Sequence, residues 1–183
     1  MIIIGITGHR HLKEECIVFY EEQIRKQLRV WKDEYGEVLL YSSLADGADR
    51  LAVEVALGLD IPFVAVLPME TACYVSDFTE VSTIKFDALL GRASLVLEMS
   101  IHKGRVFDPH ARTCLYESTG RFISDKSDIL MALWDGKYTD LKGGTGELVA
   151  YHLAKTKYRL YHLPVSRHSD LTNDMIEFRI FEN

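Results

Sequence analysis

The sequence predicts an α/β protein: a Rossmann-like three-layer sandwich around a mostly parallel sheet of about six or seven strands. Three observations carry this expectation. Short, β-branched apolar runs alternate with segments of helical periodicity. Nearly all of those runs are apolar at every position, as strands covered on both faces must be. Clusters of glycine, hydroxyl and carboxylate residues follow the runs, where ligands of open α/β sheets bind.

Ile2 to Ile6 reads as a buried strand that ends at Thr7-Gly8. A helix follows, because Ile17, Tyr20, Ile24, Leu28 and Trp31 recur at the spacing of one helical face. Tyr20 on that stripe requires a hydrogen-bond partner for its hydroxyl. Gly36 ends the helix, and Val38 to Tyr41 forms a second strand. A second helix runs from Ala48 through Leu57 with Leu51 and Val55 inward. Pro62 precedes a third strand, Phe63 to Leu67, which Pro68 stops. Thr79 to Leu90 reads as a helix, and Ser94 to Leu97 as a fourth strand. An irregular excursion is expected around 98–112, then a helix from Thr113 to Ile123 and a fifth strand from Ile129 to Trp134. A helix from Glu147 to about Lys155, a sixth strand from Tyr158 to Leu163 and an edge strand in the tail complete one domain, 1–183.

At 183 residues, with 48% hydrophobic and 26% charged residues, the composition is that of an ordinary globular domain. The net charge of −6 argues against nucleic acid as a partner, because such binding draws on lysine and arginine at phosphates. Cys16, Cys73 and Cys114 are odd in number and form no CxxC pair, which suggests reduced thiols in the cytoplasm. No apolar segment is long enough to span a membrane, and the first residues read as a strand, not a signal peptide. The histidines show no metal spacing, so no metal is expected, and no cofactor is implied.

Three clusters carry the chemistry. In the first, Thr7, Gly8, His9 and Arg10 follow strand one and suit a phosphate: glycine lets it approach, and Arg10 offers a planar fork of donors. The same residues also make a plain tight turn. The second includes Ser43, Asp46, Gly47 and Asp49, placed for ribose hydroxyls or a phosphate; Asp46 as a helix cap and Asp49 paired with Arg50 or Arg10 is the structural alternative. The third, Gly143, Gly144, Thr145, Gly146 and Glu147, places a glycine run and a carboxylate at a helix start, where amide groups and the helix dipole favour an anion. Tyr116 and Arg121, on the preceding helix, are candidates to stack a base and to bind a phosphate, or else pack. The loops after strands one, two, four and five are expected to build the cleft.

In this order, Ile6-Thr7-Gly8-His9-Arg10, Ser43-Leu44-Ala45-Asp46-Gly47-Ala48-Asp49, Val66-Leu67-Pro68, Ser127-Asp128-Ile129-Leu130, Trp134-Asp135-Gly136 and Gly143-Gly144-Thr145-Gly146-Glu147 resemble the SLOG superfamily. That lineage holds the Lonely Guy phosphoribohydrolases, the DNA-processing protein DprA and many nucleotide sensors. The resemblance implies a pocket for a nucleotide or a derivative such as ADP-ribose or a nucleoside monophosphate, in a homo-oligomer, a dimer or larger. The hydrolase branch carries PGGxGTxxE; here Lys142 stands at its proline, Glu147 at its threonine and Ala150 at its final glutamate. The sensor branch is therefore the nearer likeness, and binding or sensing the leading expectation. The alternative is a nucleoside 5′-monophosphate N-glycosidase in which Glu147 or Asp46 stabilises an oxocarbenium-like ribose.

Overall fold

The computed structural model describes residues 1–99, 108–138, 142–154, 159–167 and 179–181. Seven strands form one sheet in the order β4-β3-β2-β1-β5-β6-β7. They are β1 (Ile2–Gly8), β2 (Val38–Ser42), β3 (Phe63–Leu67), β4 (Leu95–Glu98), β5 (Ile129–Trp134), β6 (Arg159–Pro164) and β7 (Arg179–Phe181). Every neighbouring pair is parallel except β6 with β7, which is antiparallel at the edge. The helices are α1 (Ile17–Tyr35), α2 (Ala48–Leu57), α3 (Thr71–Tyr74), α4 (Glu80–Leu90), α5 (Pro109–Lys126) and α6 (Thr145–Leu153).

The alternation seen in the sequence thus yields the expected three layers. On one face α1 presents Tyr20, Ile24, Leu28 and Trp31 to Ile4, Leu40 and their neighbours, and α2 adds Ala52 and Val55. On the other face α5 and α6 bring Ile123 and Val149 against Val64, Val66, Leu130 and Ala132. The buried hydroxyl of Tyr20 has its partner: it accepts the Ser166 amide at 2.8 Å.

Several boundaries move for local reasons. The helix expected from Thr113 begins at Pro109, so the irregular excursion ends earlier than 112. Asp108 caps it by accepting from the Ala111 amide at 2.7 Å, and proline suits the first helical position. The last helix starts at Thr145 rather than Glu147, which places Gly146 inside its first turn. The sequence reading has no counterpart for α3 and the 3₁₀ turn Val75–Asp77 that follows it. These sit under the end of β4, where Glu98 accepts from the Thr71 amide and hydroxyl, both at 2.8 Å. Residues 100–107, in the expected excursion, and 168–178, in the expected tail strand, lie outside the described residues.

Candidate functional site

Parallel strands bring their carboxyl ends to one edge of the sheet. From β1 the chain steps outward through β2, β3 and β4, then returns to β5 on the other side of β1. The loops after β1 and β5 therefore diverge and leave a crevice at this switch point.

The β1 loop is fastened by backbone contacts. The His9 amide donates to Leu133 O at 3.1 Å, and the Ala48 amide donates to His9 O at 3.1 Å. A Cβ on Gly47 would lie 2.2 Å from Arg10 O, and φ there is +77°. A Cβ on Gly8 would lie 2.4 Å from the Ala48 Cβ and 2.7 Å from Leu133 O. These two glycines thus let three loops touch one another. His9 Nε2 lies 3.0 Å from Asp135 Oδ1 and accepts from the Asp135 amide at 3.2 Å, which ties the β1 loop to β5. Arg10 is exposed, with its guanidinium 5.7 Å from the centre of the Tyr116 ring.

The β2 loop is organised by two carboxylates in different ways. Asp46 does not cap α2; Gly47 is the cap residue, and no side chain bonds there. Asp46 pairs with Arg50 at 2.7 Å and accepts from Ser82 Oγ at 2.6 Å. Arg50, whose pKa burial lowers against the support of Asp46, also donates to Leu44 O at 2.9 Å. That bond helps hold Leu44 at φ +56°, a left-handed conformation costing about 1 kcal/mol. Asp49 pairs with neither Arg50 nor Arg10. Its Oδ2 accepts from Ser43 Oγ at 2.7 Å, the Ser43 amide at 3.1 Å and Ser42 Oγ at 3.3 Å. Burial pushes the Asp49 carboxyl up to about 6, against the opposing pull of the serine donors and the charge of Arg10.

The glycine cluster has a different character. A Cβ on Gly143, where φ is +72°, would lie 3.2 Å from the Glu117 amide nitrogen and 3.3 Å from Thr113 O, so this glycine packs closely on α5. Its amide donates to Glu147 Oε2 at 2.6 Å, while Glu147 Oε1 pairs with Arg121 at 2.9 Å. Gly144 is the cap residue of α6 and has no side chain to occupy the first free amides of the helix. Across from it, the Tyr116 hydroxyl donates to the carboxylate of Asp77, which also pairs with Arg112.

Two adjoining cavities result. An inner one of about 130 Å³ is lined by Thr7, Ser43, Asp49, Pro68, Tyr74 and Ile123 among others. An outer one of about 390 Å³ holds His9, Thr145, Gly146 and the cations Arg10, Lys137, Lys142 and Arg167; among the described residues, the carboxylate in its lining is Asp135. Gly8, Arg10, Tyr116, Gly143 and Thr145 line both. Of the candidates from the sequence, the structure brings together Thr7, Gly8, His9, Arg10, Ser43, Asp49, Tyr116, Gly143, Gly144, Thr145 and Gly146. Asp46 is engaged by Arg50 and lines neither cavity. Glu147 and Arg121 line a separate recess of about 20 Å³ beside Gly143. The end of β3, with Pro68 and Tyr74, contributes although its loop was not among those expected. Lys137, Lys142 and Arg167 were also missed. Lys137 directly follows Asp135-Gly136, a signal present in the sequence; Arg167 arrives through a bridge to Leu12, which no local pattern announces.

These features define a Rossmann-like domain with a cation-lined crevice at its switch point. The fold is one also seen in solved DprA proteins. DprA from Streptococcus pneumoniae superposes with a TM-score of 0.66 at 15% identity, over 94% of this chain and 54% of that one. DprA from Helicobacter pylori superposes with a TM-score of 0.55 at 15% identity, over 92% of this chain and 67% of that one. The chain therefore spans about half the length of the streptococcal protein. No family model matches the sequence, and no curated protein matches it. The Helicobacter structure is described by its single-stranded DNA binding mode, which overturns the argument against nucleic acid drawn from net charge. A net charge sums the whole surface, whereas binding reads the local field of the cleft. No helix among the described residues is long and apolar enough to cross a membrane.

Proposed function

We propose that the outer cleft binds the phosphate of a nucleotide or nucleotide derivative. The observation that carries this reading is the convergence of Arg10, Lys137, Lys142 and Arg167 on the uncapped amino end of α6. A helix N-terminus and a guanidinium each favour a phosphate, and together they orient it. Binding, and not hydrolysis, is what this geometry supports. Asp46 and Glu147 are held in ion pairs by Arg50 and Arg121 and line neither large cavity.

Calorimetric titration with nucleoside monophosphates tests the reading. Saturable heat in the wild type, lost in Gly144→Glu, is expected; the introduced carboxylate would stand where the anion sits. Equal binding by wild type and variant would refute the site.

A second reading has its own support: the nucleotide is a unit of single-stranded DNA. The fold shared with DprA and the cationic lining favour it. Anisotropy with a labelled oligonucleotide at rising salt separates the two, because a strand contacting several phosphates loses affinity steeply, with a log–log slope of about −0.7 per phosphate. A flat salt response, or no binding, removes the DNA reading.

A further inference from the structure

Tyr116 stands where the spaces of the cleft meet. It borders the inner cavity, the outer cavity and the small recess beside Gly143. Among the described residues it brings the only six-membered aromatic ring to the lining of the outer cavity. A tyrosine at the edge of a polar cleft ordinarily turns its hydroxyl to water or to a ligand. Here the hydroxyl is committed elsewhere. It donates to the carboxylate of Asp77, in the 3₁₀ turn after α3, and accepts from Arg112 Nε at 3.3 Å.

Asp77 and Arg112 line none of these spaces, and their side chains are 16% and 14% exposed. They pair with each other, and Arg112 Nη1 reaches Cys73 Sγ at 3.5 Å, so the tether joins α5 to α3 and the turn after it. Burial, and next the Asp77 carboxylate, raises the Tyr116 phenol above its ordinary pKa, so it stays a donor to Asp77. What the side chain offers a ligand is a fixed aromatic face with its polar group already spent. The exposed Arg10 stands 5.7 Å from the ring centre. A cation–π contact at an exposed site is weaker than a charge-assisted bond to phosphate, so a phosphate in the outer cleft draws Arg10 off the ring. The face it leaves adjoins the phosphate site.

We infer that Tyr116 is a stacking platform for the base of a bound nucleotide, held in place by Asp77 and Arg112 as positioning residues. The inference rests on the phosphate reading of the outer cleft. Stacking tolerates any base, because every base has a π-face. The ligand class is therefore a base-bearing phosphate, free or within a strand, and not one chosen base.

The test is calorimetry with AMP, CMP and ribose 5-phosphate on the wild type, Tyr116→Ala, Asp77→Ala and Asp77→Asn. The readout is the affinity of each nucleotide relative to ribose 5-phosphate, because a weakened phosphate site lowers both alike. In the wild type both nucleotides should bind about tenfold or more tightly than the baseless ligand, as one base on an aromatic ring provides. In Tyr116→Ala the ratio should fall to within about threefold of unity. Asp77→Ala should lower it about threefold or more, and Asp77→Asn, which keeps a hydrogen-bond partner for the hydroxyl, should restore it. A wild-type ratio near unity, or a ratio unchanged in Tyr116→Ala, would overturn the platform and leave the phosphate site standing. AMP and CMP differing by more than about tenfold would overturn the tolerance of bases. A ratio unchanged in Asp77→Ala would overturn the positioning role. If circular dichroism shows Asp77→Ala unfolded, Tyr116→Phe, which cuts the same tether, decides with the same expectation. Binding of none of the three ligands by the wild type would overturn both readings. Oligo(dT) set against dTMP separates the sources: tighter binding of the oligonucleotide identifies a strand, and equal or weaker binding a free nucleotide.

Discussion

Two glycine-bearing loops border the cleft, and they use glycine for opposite ends. Around Gly8 and Gly47 the missing side chains let the β1 loop, the start of α2 and β5 meet, with Ala48 Cβ and Leu133 O at Gly8 and backbone at Gly47 filling the space a Cβ would take. At Gly144 the missing side chain leaves the first turn of α6 uncapped beside the cations of the outer cavity, while the adjoining Gly143 is packed on α5. One loop is a fixed wall and the other is open to a ligand. Strand-end glycines are alike in sequence, and only their neighbours distinguish packing from recognition.

That contrast is sharpest for Gly47→Ala. A Cβ 2.2 Å from Arg10 O at φ +77° should cost about 3 kcal/mol or more. Gly136, at φ +78° with nothing within 4 Å of its Cβ position, shares the conformation without the contact. Gly136→Ala should therefore cost about 1 kcal/mol, the conformational part alone. Urea denaturation compares the two, and equal losses would show that the crowding at Gly47 relaxes freely.

Next in size is the pH response of Asp49. Below 3.8, the ordinary value for an aspartate, the carboxyl is protonated in folded and unfolded chains alike. As pH rises from there to about 6, the unfolded chain releases its proton first, so stability falls, and the loss is complete above that range. The shift corresponds to roughly 3 kcal/mol at one pKa unit per 1.36 kcal/mol. Asp49→Asn should remove this slope and gain stability at pH 8 relative to pH 4, read from melting curves at the two pH values. An unchanged slope would place the titration elsewhere.

Smaller effects are expected in binding. Arg10 is exposed, so Arg10→Ala should leave the melting temperature nearly unchanged while weakening phosphate binding by about tenfold or more. The least effect is expected from Glu147→Gln. It removes the ion pair with Arg121 but retains an acceptor for the Gly143 amide, so stability should change by about 1 kcal/mol or less. Affinity should stay within about threefold, a change under 1 kcal/mol. A large loss of affinity would instead place Glu147 against the ligand.

The sheet was legible because its strands are continuous apolar runs and α1 shows an unbroken stripe; both signals are local. The first-turn boundaries of α5 and α6 were less so. Asp108-Pro109 is a capping signal inside a stretch of mixed charge, and Gly146 in a helix runs against its propensity. At the site, residue identities were legible and partnerships were not. Ser82, 36 residues from Asp46, and Arg121, 26 residues from Glu147, take the carboxylates that looked most available. Asp49, whose alternative in the sequence was a pair with Arg50 or Arg10, makes neither pair and is the acid buried beside a cavity. The basic lining was hidden in the same way, because Lys142 and Arg167 reach Arg10 only through the fold.

The central claim is that the open glycine loop and its cations form a phosphate site. Titrating the nucleoside monophosphates into the wild type, Arg10→Ala and Gly144→Glu tests it most directly, with each variant first shown to melt cooperatively. Saturable binding that drops about tenfold or more in Arg10→Ala and vanishes in Gly144→Glu is the predicted result. Binding of equal strength in all three folded proteins would contradict it.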